Sequence, residues 1–272
     1  MANEQSDLAK GWVALGDPRR DHYRLSDSAV DLSRPSNAPA IASLRAEPQN
    51  ILVDLNTSAL LVVDMQNDFC SRGGWFDSLG APVSGFTKLY EPIGRVTKAL
   101  RACRVPIVWV NWGVRADKAN LSPATRYAFN RVGCGVGLAD PMNKRPPQAG
   151  NSPNGVLQKD AWGAAVVDEL AAQPSDIFVD KHRISGFWDT PLDSILRNLR
   201  VKTLFFAGIN ADHCVLATLM DANFYGYDTI LLEDCTATSS PDFCMQATLH
   251  NVRFCFGFTV QSDDLVKGVR PA

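Results

Sequence analysis

From residue 58 onward, short apolar runs alternate with stretches whose apolar residues recur every three or four positions. Each run is a few residues long and is bounded by polar residues or Gly, which is typical of strands buried on both faces of a sheet. The predicted strands are 58–64, 105–111, 176–181, 202–208, 227–235 and 252–258.

The stretches between these runs predict helices that cover the strands. The clearest repeat, in 90–103, places Ile93, Val96 and Leu100 on one face. Thr190 is expected to cap one helix and Ser240 another, because hydroxyl side chains accept hydrogen bonds from free amides at helix starts. The predicted helices are 90–103, 164–170, 190–199, 240–251 and one that begins near Cys214.

Strands that alternate with helices indicate an α/β fold. Right-handed βαβ units build a three-layer, doubly wound, six-stranded parallel sheet with helices on both faces. Ligands of such sheets bind beyond the carboxyl ends of the strands. Three ionisable residues, Asp64, Lys181 and Cys214, occupy predicted strand ends or the turn that follows, and they are the first functional signal in the chain.

Composition narrows the possible functions. The chain has 272 residues, is 46% hydrophobic and has a formal net charge of −2. No basic run favours a nucleic acid partner, and no apolar run is long enough to cross a membrane. We see no secretory signal, and the seven cysteines form no C-x-x-C pair, so we expect a cytoplasmic protein with reduced thiols.

The first 50 residues differ from the rest. They are rich in Ser, Pro, Asn and Asp, and they predict an N-terminal extended arm (1–50) before a single domain (51–272). A disordered tail and an arm that lies on a neighbouring subunit both fit this composition. A second long segment, 112–162, carries Gly, Pro and Asn throughout, and a loop of this length in a compact domain is usually functional or mobile.

A cysteine at a strand-to-helix junction suits nucleophilic catalysis. Free amides, the helix dipole and a nearby lysine favour the thiolate, whereas a nearby carboxylate raises the thiol pKa but can accept the proton during attack. Together Cys214, Asp64 and Lys181 would equip a site for acyl transfer through a thioester. Taken singly, each has a plainer interpretation: a packed thiol, a turn residue and a solvated strand end. His213 is not expected to form a dyad with Cys214, because adjacent side chains point in different directions.

Three blocks carry a family resemblance: "ALLVVDMQNDFC", "VDKHRISGFWDTPLDSIL" and "GINADHCVLATLMDANFYGYDTILLEDC". They resemble the signature blocks of the isochorismatase-like cysteine hydrolases, over about residues 50–260. The resemblance implies Asp64 as general base and acid, Lys181 as its partner and Cys214 as nucleophile. It also implies a non-proline cis bond between Ile209 and Asn210, which would turn a backbone N–H toward the reacting carbonyl, beside that of Cys214.

Within the family, the chain is most similar to the ureido-type amidases, which include ureidoacrylate amidohydrolase, biuret hydrolase and N-carbamoylsarcosine amidase. The family's metal-binding members use an Asp and two His, but no histidine lies between Asp64 and Lys181, so we expect no metal. The resemblance also implies a set of substrate-binding residues, which are Phe69, Trp75, Asn111, Trp112 and Ile184. Asn111 would hydrogen-bond the substrate, Trp75 and Trp112 would form walls of the pocket, and Ile184 would border the pocket.

We therefore expect a metal-independent, cofactor-free cysteine amidohydrolase that cleaves a C–N bond of a small amide, preferably a ureido or carbamoyl compound. A different small aliphatic or aromatic amide, or a catalytically silent scaffold with the same fold, stays open. The expected partners are the small-molecule substrate and further copies of the chain. In such a homo-oligomer the arm would lie across another subunit.

Overall fold

A six-stranded parallel sheet forms the centre of the computed structural model, which describes residues 11–34, 38–133 and 135–269. All of its paired strands run parallel. The strands are β6 (Ser58–Val63), β7 (Ile107–Trp112), β8 (Ile177–Lys181), β9 (Thr203–Ile209), β10 (Asp228–Ala237) and β11 (Phe258–Val260). Their spatial order is β11-β10-β9-β6-β7-β8. The chain therefore runs outward from β6 to β8 in one half of the sheet and outward from β9 to β11 in the other.

The α/β prediction is confirmed because the apolar runs form these strands. Every residue of β6, β7 and β9 is buried, so the three strands show no polar alternation. Helices cover the sheet on both faces. They are α1 (Asn67–Cys70), α2 (Trp75–Ser78), α3 (Ser84–Thr87), α4 (Tyr90–Ala102), α5 (Pro123–Ala128), α6 (Leu192–Asn198), α7 (Leu216–Phe224), α8 (Asp242–Asn251) and α9 (Ser262–Gly268).

Two predicted elements were wrong. Residues 164–170 do not form one helix: short 3-10 turns at Trp162–Ala164 and Asp168–Leu170 flank an extended part. That part forms a bridge with the backbone around Gln66: the carbonyl of Ala165 accepts from the amide of Asn67, and the amide of Val167 donates to the carbonyl of Met65. These groups are then unavailable for the hydrogen bonds of a helix. The sixth strand was placed too early, since Val252–Phe256 forms a π-helical turn and only the following residues join β10.

The expected helix caps had mixed outcomes. Thr190 Oγ1 accepts a hydrogen bond from the amide of Leu192, the first residue of α6, at 3.2 Å. Ser240 makes no such bond, and α8 begins after Pro241 without a side-chain cap.

The N-terminal part contains two small antiparallel units. The first is a three-stranded sheet of β1 (Val13–Gly16), β2 (His22–Leu25) and β3 (Val30–Asp31). The second is a hairpin of β4 (Ile41–Leu44) and β5 (Ile51–Asp54). The predicted boundary after residue 50 falls inside this hairpin, whose Ala42, Leu44 and Val53 belong to the main core.

Candidate active site

The structure brings Asp64, Lys181 and Cys214 together at the carboxyl ends of β6, β8 and β9. Lys181 Nζ lies 3.0 Å from Asp64 Oδ2 and 3.3 Å from Cys214 Sγ. All three residues are buried, with Cys214 5% exposed. The lysine also donates to the carbonyl of Arg183 at 3.2 Å, so its ammonium is held between the carboxylate and the thiol.

Sharp backbone turns place these groups. Asp64 follows β6 with a φ of 55°, a left-handed conformation that directs the chain out of the sheet. Gly208 in β9 has a φ of 108°, and a Cβ there would lie 2.0 Å from the carbonyl oxygen of Val63. Only glycine fits this close approach, which brings the end of β9 against the end of β6.

Burial raises the pKa values of two residues of the trio, Asp64 and Cys214. It raises the pKa of Asp64 above its ordinary value, although the Lys181 ammonium works in the opposite direction. Burial and the Asp64 carboxylate raise the pKa of the Cys214 thiol to about 12, despite Lys181. The thiol is therefore protonated at neutral pH. The Asp64 carboxylate faces the Cys214 thiol, the Lys181 ammonium and the indole N–H of Trp112, so it is placed to accept the thiol proton.

Cys214 lies in a π-helical turn, Ala211–Val215, which leads into α7. The bond between Ile209 and Asn210 is cis, as the family resemblance implied. The amides of His213 and Val215 both donate to the Asn210 carbonyl, at 3.1 and 3.2 Å. The Asn210 side chain accepts from the amide of Ser239 at 2.9 Å, which fixes the start of the turn.

Aromatic residues continue from the trio into the long segment. Lys181 Nζ lies 4.0 Å from the ring centre of Trp112, close enough for a cation–π interaction. Phe129 packs edge-on against Trp112 at 5.1 Å and lies 6.1 Å from Trp75. Phe69 packs edge-on against Phe76, the neighbour of Trp75. Trp75, Trp112 and Phe69 thus belong to one buried cluster.

Asn111 and Ile184 lie apart from the contact between Trp112 and Lys181. Asn111 lies on the opposite side of β7 from Trp112, since successive side chains of a strand alternate. It lines a separate cavity of about 280 Å³ with Lys159 and Asp180. Ile184 is 37% exposed, one residue beyond the carbonyl that accepts from Lys181. Their predicted contact with substrate stays a prediction.

Sequence reasoning missed the buried amide of Gln66. Its Nε2 donates to the carbonyls of Trp112 (2.8 Å) and Ala164 (2.6 Å), and its Oε1 accepts from the amide of Trp112. Its place two residues after Asp64 was the available signal. Gln66 thereby fixes both the wall of the site and the end of the long segment.

Thr218 was missed as well. Its hydroxyl donates to the carbonyl of Cys214 at 2.6 Å and accepts from the amide of Gly186 at 3.0 Å. The spacing of four residues from Cys214 could have suggested the first bond. The second bond ties the segment after Lys181 to the turn that holds the nucleophile.

A buried ion pair holds the long segment in place. Arg145 pairs with Asp68, whose side chain is fully buried. The same carboxylate accepts from the amides of Trp75 (3.1 Å) and Leu157 (2.8 Å). These contacts join α1 and α2 to residues far along the chain, where no local pattern could predict them.

Within residues 11–34, 38–133 and 135–269, no group of three or more His, Cys, Asp or Glu side chains is arranged to hold a metal ion. No helix of this part is long and apolar enough to span a membrane.

Comparison with known sequences agrees with the geometry. The Isochorismatase domain profile matches residues 58–264. The chain belongs to the isochorismatase family. It is 35% identical over 232 residues to the ureidoacrylate amidohydrolase RutB of Klebsiella variicola, a match covering 85% of this chain and 94% of that protein.

Solved structures share the fold. A cysteine hydrolase from Pseudomonas syringae matches with a TM-score of 0.65 and 24% identity, over 87% of this chain and 97% of the other. An N-carbamoylsarcosine amidase from Thermoplasma acidophilum matches with a TM-score of 0.56 and 26% identity, over 76% of this chain and 97% of that one.

Proposed function

We propose that this protein is a metal-independent cysteine amidohydrolase that cleaves a C–N bond of a small ureido or carbamoyl compound. The observation that carries the proposal is the buried set of Asp64, Lys181 and Cys214, with the ammonium 3.0 Å from the carboxylate and 3.3 Å from the thiol. Nucleophile, proton acceptor and cation are the groups that amide cleavage through a thioester requires.

In the first half of the reaction, Asp64 accepts the thiol proton as Cys214 Sγ attacks the carbonyl carbon. The resulting oxyanion would be bound by the backbone N–H groups of Asn210 and Cys214 in the turn after β9. Asp64 then returns the proton to the leaving nitrogen as the C–N bond breaks. An amine or ammonia departs and a thioester on Cys214 remains.

In the second half, water replaces the amine. Asp64 takes a proton from the attacking water, the thioester C–S bond breaks, and the proton returns to Cys214 Sγ. The product is the free acid, or carbamate when the substrate is a urea-type compound. Lys181 stays charged throughout and holds the Asp64 carboxylate in position.

The substrate class rests on two relatives. Ureido and N-carbamoyl groups both contain a carbonyl carbon bonded to two nitrogens, and both words occur in the names of similar proteins. The slight exposure of Cys214, 5%, favours a small compound.

The test is an ammonia-release screen over ureido acids, N-carbamoyl amino acids, biuret, and simple aliphatic and aromatic amides. We expect turnover with one of the urea-type compounds and a fall of at least about a thousandfold in kcat for Cys214→Ala and Cys214→Ser. Turnover restricted to simple amides would overturn the substrate class. Unchanged kcat in Cys214→Ala would overturn the mechanism, and no turnover with any compound would favour the scaffold.

A further inference from the structure

The turn that carries Cys214 is bound from outside the site by a short polar segment. We define the nucleophile turn as residues 210–215 and the hydroxyl segment as residues 238–240, which read Thr-Ser-Ser and follow β10. β10 pairs with β9 in parallel, and near its end the hydroxyl of Thr236 donates to the carbonyl of Gly208 at 2.7 Å. The hydroxyl segment therefore leaves the sheet beside the start of the nucleophile turn.

Two side chains of the nucleophile turn bind the hydroxyl segment. At the start of the turn, Asn210 Oδ1 accepts from the amide of Ser239 at 2.9 Å and from its hydroxyl at 3.3 Å. Two residues further on, the Asp212 carboxylate accepts from the hydroxyls of Thr238 and Ser240. The Thr238 oxygen also accepts from the amide of Ser240 at 3.0 Å, which orients this hydroxyl. All three residues of the hydroxyl segment thus contact the nucleophile turn.

The Asp212 carboxylate is ionised and nearly enclosed. Its side chain is 11% exposed, and Oδ2 lies 3.3 Å from Nε2 of the exposed His213. Burial acts to raise the pKa of Asp212, but the hydrogen bonds from Thr238 and Ser240 leave this pKa below its ordinary value. Hydrogen bonds to an ionised acceptor are roughly twice as strong as those between neutral groups. The two bonds of Asp212 therefore restrain the turn more than bonds between neutral groups would.

A single residue separates this restraint from the proposed nucleophile. Asp212 and Cys214 belong to the same π-helical turn, Ala211–Val215, and their side chains have different partners. Cys214 Sγ lies 3.3 Å from Lys181 Nζ, whereas Asp212 faces Thr238. Any shift of Asp212 is passed along the backbone to the thiol and the amide of Cys214. Catalytic groups must be held within about 0.5 Å of their productive positions, so a small shift is enough to matter.

We propose that Asp212 is a positioning residue, which holds the nucleophile turn on the hydroxyl segment so that Cys214 keeps its place in the trio. This inference rests on the proposed function, in which Cys214 attacks the carbonyl carbon and the amides of Asn210 and Cys214 bind the oxyanion. Asp212 touches none of the reacting atoms in this scheme. It acts on the rate of attack and leaves substrate affinity to other groups.

Two substitutions of Asp212 in the full chain test this role, with the compound that the screen shows to be turned over fastest. Asp212→Ala removes both bonds, and we expect kcat to fall about tenfold to a hundredfold while KM changes less than about threefold. Asp212→Asn keeps an acceptor for Thr238 and should recover most of the rate. The matched control is Asp242→Ala, because Asp242 is exposed at the start of α8, just beyond the hydroxyl segment. Unchanged kcat in Asp212→Ala, no recovery in Asp212→Asn, or an equal loss in Asp242→Ala would each overturn the proposal.

Thr238 tests the same contact from the other side. Thr238→Val keeps the shape but removes the donor to Asp212, so we expect kcat to fall about threefold to tenfold with KM nearly unchanged. Thr238→Ser should restore the rate. The double variant Asp212→Ala with Thr238→Val should lose little more than Asp212→Ala alone, because both substitutions remove the same bond. Losses that multiply would show that the two residues act independently, and the proposal would fail.

Crystal structures of the two Asp212 variants give a readout that does not depend on turnover. In Asp212→Ala we expect Cys214 Sγ to move by more than about 0.5 Å from its place beside Lys181 Nζ, and in Asp212→Asn we expect it to stay. An unmoved turn in Asp212→Ala would overturn this inference alone. The proposed function fails separately, if Cys214→Ala keeps the kcat of the natural chain.

Discussion

At the residue scale, the proposed nucleophile rests as a thiol, because burial and the Asp64 carboxylate raise the pKa of Cys214 to about 12. Burial raises the pKa values of both Asp64 and Cys214, and the fixed positive charge beside them is Lys181. Forming the thiolate moves one proton by a short path to Asp64 and creates no net charge in the buried site. A resting thiol of this kind is protected from unselective reaction with electrophiles, because the thiolate is the reactive form.

The raised pKa of Asp64 predicts the acid side of the pH profile. Asp64 must be ionised to accept the thiol proton, so kcat/KM should rise with pH as this carboxyl loses its proton. Because its pKa lies above the ordinary value, the rise should occur at higher pH than for a free aspartate. The measurement is kcat/KM between pH 4 and 9 with a substrate that does not titrate there. Full activity at pH 4 would contradict the assigned role.

Thr218 offers a test of positioning. Thr218→Val keeps the shape but removes both hydrogen bonds that join Cys214 to Gly186. We expect kcat to fall about tenfold to a hundredfold while KM changes little, because the nucleophile is less well placed. Thr218→Ser restores the hydroxyl and should recover most of the rate. A small loss in Thr218→Val together with a large loss in Thr218→Ser would show that packing of the methyl group matters more than the bonds.

At the scale of elements, the long segment between β7 and β8 depends on Arg145. Arg145→Met would leave the Asp68 carboxylate buried without its cation. We expect the free energy of unfolding in urea to fall by about 3–5 kcal/mol, since breaking a buried pair leaves an uncompensated charge.

A matched control is Arg115→Met, which removes an exposed pair with Asp117 and should change stability little. A double variant, Arg145→Met with Asp68→Asn, should regain part of the loss. Similar stabilities for Arg145→Met and Arg115→Met would contradict the importance of the buried pair.

The pattern of the sequence was sufficient where burial alone decides the structure. Strands such as β6 and β9 are apolar along their whole length, and they form where the pattern predicts. The pattern failed at 164–170, whose backbone pairs with Gln66 and Asn67. Local spacing cannot show such long-range pairing, because the competing hydrogen bonds come from residues about 100 positions away.

In the candidate site, too, some features could be predicted from the sequence and others could not. Asp64, Lys181 and Cys214 could be found because strand ends of a parallel sheet converge. Asn111 lies on the side of β7 opposite to Trp112, so its predicted contact with substrate stays a prediction. The ion pair of Asp68 and Arg145 joins residues 77 positions apart, so only the folded chain reveals it.

At the scale of the whole molecule, activity should not depend on a metal ion. We expect kcat to be unchanged after exhaustive dialysis against a strong chelator, because thiol, carboxylate and ammonium together supply the proposed chemistry. The control is a second sample dialysed without chelator, with metal content measured in both. Loss of activity that zinc or iron restores would show that a metal takes part.

Different groups lie at the two ends of the sheet. Arg20 binds backbone carbonyls at the amino ends of the strands, whereas the trio lies at the carboxyl ends. A strand of six residues spans about 20 Å, so the turn that Arg20 anchors lies far from the trio of the same chain.

The bonds of Gln66 have a consequence for the diversification of such enzymes. A single amide holds both the beginning of the long segment, at Trp112, and its end, at Ala164. The residues between these two points thus form one segment, and Gln66 holds both of its ends. Replacing residues 115–160 by the corresponding segment of a relative should leave the distances within the trio unaltered, provided that the new segment keeps a cation that pairs with Asp68.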